Sequence, residues 1–408
     1  MAQAAPGLSD RPPAGDRPLP LAGIRILASE QYGAGPYGTM FLAQLGAEVI
    51  KLEPPKGGDS ARATGPYLLG RDDSLFYQTF NLNKRSLSLD LRTPAGQQVL
   101  HRLTATADAV TNNARGDLPA RLGLDYAALG LVKREIVCVH ASAYGRSGAR
   151  ANWPGYDYLM QAEAGFLSVT GEPDAPPTRF GLSMVDFITG TMLGLATLAG
   201  LSEARATGTG RDFDIALLDA ALHQTSYPAF WYLNRGAVTG RSPRSAHPSV
   251  TPSQIFRTAD GWIFIMAQQP KFWTLLVEGI GAPHLATDPR FAETAARLTN
   301  RDVLTVILDG IFLQHPTAYW LEQLGGRVPV APVNDLAQAL DGPAATGMIA
   351  TVAHAAGDLR VLNNPILLDG ERMPVRAAPA LGADTDALLA EIGYAAADVA
   401  RLRADGVV

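Results

Sequence analysis

An α/β fold with a mostly parallel sheet covered on both faces, joined to a smaller α+β domain, is predicted from three observations. Short apolar runs alternate with segments of helical spacing over the first half of the chain, and a glycine-rich turn follows the first run. Past residue 225 the character changes: aromatics crowd 227–232, and a Gly/Arg/Ser/Pro stretch fills 236–253.

In chain order, residues 24–28 read as a strand, the glycine-rich turn follows, a helix continues through Leu45, and 48–52 is the next strand. A second cycle places a strand at 86–91, a helix at 94–107 and a short strand at 109–111, just before Asn112 and Asn113. Residues 135–141 form one more strand. A long helix over 186–205 ends at the glycine stop around Gly208 and Gly210, and an alternating strand covers 212–217. Beyond the change at 225, a hairpin spans 254–266 with Asp260-Gly261 at its turn, and helices cover 272–279 and 317–324. The loop Asn363-Asn364-Pro365 and a helix at 385–392 close the chain. The expected division is a disordered tail over 1–20, the N-terminal part of a large domain over 21–224, a small α+β domain with linkers over 225–340, and a C-terminal part over 341–408 that returns to the large domain.

Composition narrows the function classes. With 408 residues, 47% of them hydrophobic, the chain can bury a large core. A formal net charge of -5 argues against a broad polyanion-binding surface, so nucleic acid is not expected as a partner. The one cysteine, Cys138, lies in the apolar run 136–139 and reads as a buried strand residue, which leaves no disulfide framework and no cysteine metal site. The proline-rich first twenty residues lack the apolar stretch of a signal peptide. The richest apolar run, 187–201, is short for a membrane span and holds three glycines, so no membrane partner and a cytoplasmic location are expected.

Gly33-Ala34-Gly35-Pro36-Tyr37-Gly38 fits the GxGxxG pattern between a strand and a helix, and Glu53 stands twenty residues after Gly33. That outline matches a dinucleotide fingerprint, in which glycines admit a pyrophosphate to the helix N-terminus and the acid binds a ribose. Pro36 opposes it by removing an N–H where donors are wanted. A nicotinamide site, another nucleotide-bearing ligand and a purely structural turn all remain open on these residues.

Several segments, taken in order, are more specific. They are 21–27 with Gly35-Pro36; Leu45-Gly46-Ala47-Glu48-Val49-Ile50-Lys51-Leu52-Glu53; Gly58-Asp59 with Arg62; and Asn83-Lys84-Arg85-Ser86 with Leu89 and Leu91. Then come Tyr144-Gly145-Arg146-Ser147-Gly148, Pro154-Gly155-Tyr156-Asp157, Thr170-Gly171, Val185-Asp186 with Gly190, Thr207-Gly208 with Gly210-Arg211, and Asp260-Gly261. Over about 21 to 400 this series resembles the class III CoA-transferases, the group that includes formyl-CoA and carnitine CoA-transferases and the related α-methylacyl-CoA racemases. The resemblance implies a Rossmann-like large domain built from both ends of the chain, a small middle domain, and a homodimer whose chains interlock like rings. Acyl-CoA and a small carboxylic acid are the implied partners, with coenzyme A thioesters as substrates and no permanently bound cofactor or metal.

By the same resemblance Asp186 is the catalytic carboxylate. A carboxylate suits this chemistry because it can hold an activated acyl group as a mixed anhydride. Read locally, an aspartate just ahead of a helix is also a favoured N-cap, and Asp157 is either a cap or a residue that positions the thioester. Tyr156 stands where racemases have histidine, and a phenol with a pKa of about 10 is a poor proton shuttle at neutral pH, which favours transfer. The implied coenzyme A contacts are Gly33, Ala34, Leu89, Arg92, Asn113 and Leu122, with Arg92 the foremost phosphate contact. Ala114 replaces the usual aromatic, leaving Arg115 to stack on adenine or bind phosphate. His247 is the candidate for the acceptor's far carboxylate, which would make the acceptor dicarboxylic. The rival readings are a racemase-type isomerase, an NAD-dependent oxidoreductase and a non-catalytic acyl-CoA-binding protein.

Overall fold

The structure, a computed structural model, describes residues 17–408. Most of the expected tail, 1–16, lies outside the described residues. Two of its last four positions make contacts: Arg17 stands 3.6 Å from Asp369, and the Leu19 side chain fills the space a Cβ on Gly46 would need. The chain forms two compact units, one from the segment up to 164 with 181–224 and 347–408, the other from 165–180 and 225–346.

The first unit is organised by six parallel strands: β1 (Arg25–Ser29), β2 (Glu48–Glu53), β3 (Arg85–Ser88), β4 (Ala109–Asn112), β5 (Val137–Ser142) and β6 (Asp212–Ala216). Their spatial order is 3-2-1-4-5-6, the doubly wound order, which reverses direction between β1 and β4. The strand expected to run to residue 91 stops at Ser88. There the chain leaves the ladder, Leu89 N donating to Glu53 O at 2.7 Å and Asp90 N to Val407 O at 2.8 Å.

Alternation along β1 supplies both faces of the sheet. Leu27 joins Ile50, Leu87 and Val110 beneath α2 (Pro94–Thr106) and the C-terminal Leu388, Leu389 and Leu402. Ile26 and Ala28 join Val49, Val137 and Val139 on the other face, with Leu42 of α1 (Ala34–Gln44) and Leu193 and Leu201 of α4 (Met184–Thr207). Between these helices in sequence lies α3 (Asp157–Glu163). Cys138 is a residue of β5 buried in the first of these cores, where desolvation pushes its thiol far up.

Helix α4 corrects the expectation of no membrane-length segment. At 24 residues it is long and apolar enough by length and composition to cross a membrane. Its buried residues, among them Val185, Thr189, Leu193, Thr197, Leu201 and Ala204, recur every three to four positions, the stripe of a core helix. Glycines let it cross α1 backbone to backbone. A Cβ on Gly38 would stand 2.2 Å from Gly190 O, and one on Gly190 would stand 2.4 Å from Ala34 O.

The second unit holds an antiparallel sheet of β7 (Ser253–Arg257), β8 (Trp262–Met266) and β9 (Val330–Pro332), with β8 in the centre. Thr258 and Asp260 close the hairpin turn. Phe256, Ile263 and Ile265 pack against Trp273, Leu308, Phe312 and Trp320 from the surrounding helices. Residues 165–180 group here, ahead of the expected boundary, because Arg241 donates to Pro176 O at 3.1 Å and Arg244 N to Glu172 at 2.8 Å.

Because the obstacle at the helix crossing is backbone, Gly38→Ala should lower the free energy of unfolding by about 1–3 kcal/mol. Urea titration measures this, and an unchanged midpoint would show that the crossing tolerates a side chain.

Candidate active site

Beyond the carboxyl ends of β1, β4 and β5, where the strand order reverses, lies a cavity of about 510 Å³. Gln31, Tyr32, Gly33 and Ala34 come to it from the turn after β1, Asn113, Ala114 and Arg115 from the loop after β4, and Ser142 and Ala143 from the end of β5. Trp153 and Tyr156, ahead of α3, and Asp186, in the first turn of α4, complete its chemically distinctive wall.

The start of α4 explains the state of Asp186. A helix N-terminus leaves amides without intrahelical acceptors, and here Asp157 meets them from another helix. Its Oδ2 accepts from Val185 N at 2.6 Å and from Asp186 N at 3.0 Å, while Gln161 Nε2 donates to its Oδ1 at 2.6 Å. The local alternative, in which Asp186 itself caps the helix, is not what the structure shows. The helix begins at Met184, Asp186 is its third residue, and the capping carboxylate is that of Asp157. Relieved of that task, the Asp186 carboxylate lies in the notch left by Gly33, its Oδ2 only 2.5 Å from where a Cβ on residue 33 would stand. Burial, and after it the negative charge of Asp157, push Asp186 up to about 7. A carboxylate so poorly solvated is basic and nucleophilic when it ionises.

The turn opposite Asp186 is held at successive residues. The Asn113 side chain accepts from Gln31 N at 2.8 Å and donates to Gln31 O at 2.6 Å, and Asp59 accepts from Tyr32 N at 2.9 Å. Tyr32 takes a left-handed backbone, φ 68°, which delivers the chain into α1. The first-turn amides of Ala34 and Gly35 precede any intrahelical acceptor. All three glycines of the GxGxxG pattern are thus used for close approach: Gly33 to Asp186, Gly35 to Asn113 and Glu30, and Gly38 to α4.

Gly33, Ala34, Asn113, Arg115, Tyr156 and Asp186 therefore meet at one cavity, with Asp157 directly behind it. Three expected coenzyme A contacts are not among its lining residues. Leu89 is inside the apolar core, and Leu122 packs against that core with its carbonyl accepting from Gln97 at 3.0 Å. Arg92 is exposed and turned to Asp90, with two contacts of 2.8 Å. Asn113 lines the cavity, but both ends of its amide are spent on Gln31, so it clamps the turn. Arg115 is half exposed and donates to Asp117 at 2.9 Å, and Ala114 leaves the wall without a ring at that point. Tyr156 is 64% exposed, with its ring 6.2 Å from that of Tyr32. His247 belongs to the second unit, where it stacks on Tyr227 at 5.4 Å. Burial and then the Arg301 charge lower its pKa.

The dinucleotide reading loses its acid. Glu53 is buried and engaged by Arg62 at 2.7 Å to each oxygen, by Ser86 at 2.7 Å and by Asp59 N at 3.1 Å, so it has nothing left for a ribose. Burial opposes its ionisation, but Arg62 and Lys51 hold it below the usual carboxylate range. Among lining residues the sequence reading passes over Tyr32, Ser142 and Trp153. Tyr32 was signalled by its place beside Gly33, and Trp153 by its place before Pro154-Gly155.

Between about pH 4 and 7 the folded protein keeps an Asp186 proton that the unfolded chain has released, so this group makes stability fall as pH rises through that window. Asp186→Asn should accordingly stabilise the fold at pH 8 by on the order of 2–4 kcal/mol, with a smaller gain at pH 5. Thermal unfolding at the two pH values tests it, and equal gains would mean that Asp186 ionises normally.

The comparisons with known proteins agree with this geometry. Residues 21–385 match the model of CoA-transferase family III. The acetyl-CoA:oxalate CoA-transferase of Acetobacter aceti is 32% identical over 358 residues, 86% of this chain and 90% of that protein. The succinate–glutarate CoA-transferase of Agrobacterium fabrum is 32% identical over 390 residues, 92% and 96% of the two chains. A crystal structure of a CAIB/BAIF family protein from Brucella suis superimposes with a TM-score of 0.80 at 30% identity, covering 92% of this chain and all of that one. A match over nearly the whole length, on a fold with a partly buried carboxylate facing a glycine turn, means that this chain belongs to CoA-transferase family III and is an enzyme of the class III CoA-transferase type.

Proposed function

We propose that the protein transfers coenzyme A from an acyl-CoA thioester to a small carboxylic acid through covalent intermediates on Asp186. The observation that carries this reading is the state of that side chain: a partly buried carboxylate, freed from capping by Asp157 and seated against Gly33 in the cavity.

An Asp186 oxygen attacks the thioester carbonyl carbon, the C–S bond breaks, and coenzyme A departs as a thiolate, leaving a mixed anhydride. The thiolate then attacks the Asp186 carbonyl carbon. The anhydride C–O bond breaks, the donor acid leaves as carboxylate, and an aspartyl-CoA thioester remains. The acceptor carboxylate attacks the same carbon and expels the thiolate, forming a second anhydride. Attack of the thiolate on the acceptor's carbonyl carbon yields the new acyl-CoA and returns Asp186 to its ionised form. No net proton is taken up, and no permanent cofactor is called for. The Gly33 and Ala34 N–H groups are the donors offered to the thioester oxygen as it gains charge.

Arg115, on the cavity wall, is the phosphate or adenine contact best supported by position, while the exposed guanidinium of Arg92 is available if Asp90 yields it. A dicarboxylic acceptor is supported by the oxalate, succinate and glutarate in the relatives' names. The working assembly is an interlocked homodimer in this proposal. Tyr156, in the place of a histidine, weighs against α-proton exchange.

The test is to incubate the protein with succinyl-CoA and a panel of mono- and dicarboxylic acids and to follow new thioesters by mass spectrometry. Transfer by Asp186→Ala should fall below about a thousandth of wild type, and retained transfer would sink the mechanism. In the wild type, kcat/KM should decline on an acid limb with an apparent pKa near 7, because Asp186 attacks only when ionised. A profile flat down to pH 5 would remove Asp186 from the role.

A further inference from the structure

Lys51, Asp59 and Lys84 stand in segments that mark the family resemblance, yet none of them lines the cavity. All three side chains are fully buried. Lys51 reaches from β2 to beneath the turn after β1, its Nζ 2.9 Å from Asp59 Oδ2 and donating to Glu30 O at 3.0 Å. The other oxygen of Asp59 accepts from Tyr32 N and from Ala61 N, each at 2.9 Å. Lys84 closes the same turn from the helix side, donating to Glu30 Oε1 at 2.6 Å and to Pro36 O at 2.9 Å, while Thr39 Oγ1 donates to Glu30 Oε1 at 2.7 Å. A buried ion pair of this kind adds little stability over apolar side chains of the same volume. Its contacts indicate what it adds instead: they fall on the backbone on both sides of Gly33 and Ala34 and leave those two amides out.

We propose that the buried Lys51–Asp59 pair is a positioning device for the transfer reaction, fixing the Glu30 carbonyl and the Tyr32 N–H from below so that the Gly33 and Ala34 amides are presented to the thioester oxygen beside Asp186. This rests on the transferase reading above. The pair touches neither substrate nor the reacting atoms. Its loss should therefore slow the chemical step and leave coenzyme A binding in place.

Removing one charge strands the other in the core, so the variants are made in pairs. Lys51→Met with Asp59→Asn keeps an acceptor for Tyr32 N and removes the donor to Glu30 O, whereas Lys51→Met with Asp59→Leu removes both holds. The expected kcat losses are about tenfold for the first pair and about a hundredfold for the second, with KM for the acyl-CoA donor within about twofold of wild type. Leu103→Ala, a cavity in the core beneath α2, is the control for lost stability and should leave kcat unchanged at a comparable fall in Tm. Amide hydrogen exchange supplies a readout independent of turnover: residues 30–34 should lose protection in both paired variants, and the rest of the sheet should keep it. Unchanged kcat in the folded paired variants, a rise in KM alone, or kcat falling equally in Leu103→Ala would each overturn the proposal. Absence of transfer in the wild type would instead overturn the functional reading, while exchange at 30–34 would still report whether the pair holds the turn.

Discussion

The site depends on one contact without side chains, the crossing of α1 over α4 at Gly38 and Gly190. Backbone atoms meet there at distances that exclude even a methyl group, so the two helices are fixed closer than any pair of larger residues would permit. The crossing lies near the N-terminal ends of both, and it therefore brings the first turns of α1 and α4 together. One carries Gly33 and Ala34, the other Asp186. Neither the turn nor the carboxylate would face the other if the helices were held apart by ordinary side chains.

Asp157 decides what that meeting produces. A carboxylate at a helix start normally gains from the amides and the helix dipole, which favour its charged form. Asp157 takes those hydrogen bonds itself. Asp186 receives the burial and the neighbouring negative charge without that compensation, and its carboxyl is pushed up. The reactive group is thus made by an interaction it does not take part in. Its reactivity is set against the stability of the fold, as is common where a site needs a poorly solvated charge.

Local pattern reveals much of the first unit and little of how its residues are used. The strands at β1, β2, β4 and β5 and the helices between them carry periods of 2 and 3.6, and those periods survive in the fold because each face has its own core. The long helix is legible too, apart from its first turn. What periodicity cannot carry is a bond between distant positions. Asp157 caps a helix 28 residues downstream, Asp59 holds Tyr32 across 27, and Asn113 holds Gln31 across 82. Glu53 at its fingerprint spacing looks available until Arg62 and Ser86 are placed around it. Leu89 and Arg92 were named by resemblance alone. The departure of the chain from β3 toward its own C-terminus puts the first into the core and leaves the second against Asp90. In the second unit the hairpin turn at Asp260-Gly261 is a strong local signal, whereas the short third strand, Val330–Pro332, has too few residues to alternate.

The notch at Gly33, just ahead of α1, and the crossing at Gly38 within it are both fitted to atoms of α4. Position 33 is sized to the carboxylate of Asp186, and position 38 to the carbonyl of Gly190. A larger residue at 38 is compatible only with a displaced α4 and one at 33 only with a turned Asp186 carboxylate, so a library varied at these two positions alone would sample mostly sequences in which the nucleophile no longer fits its seat.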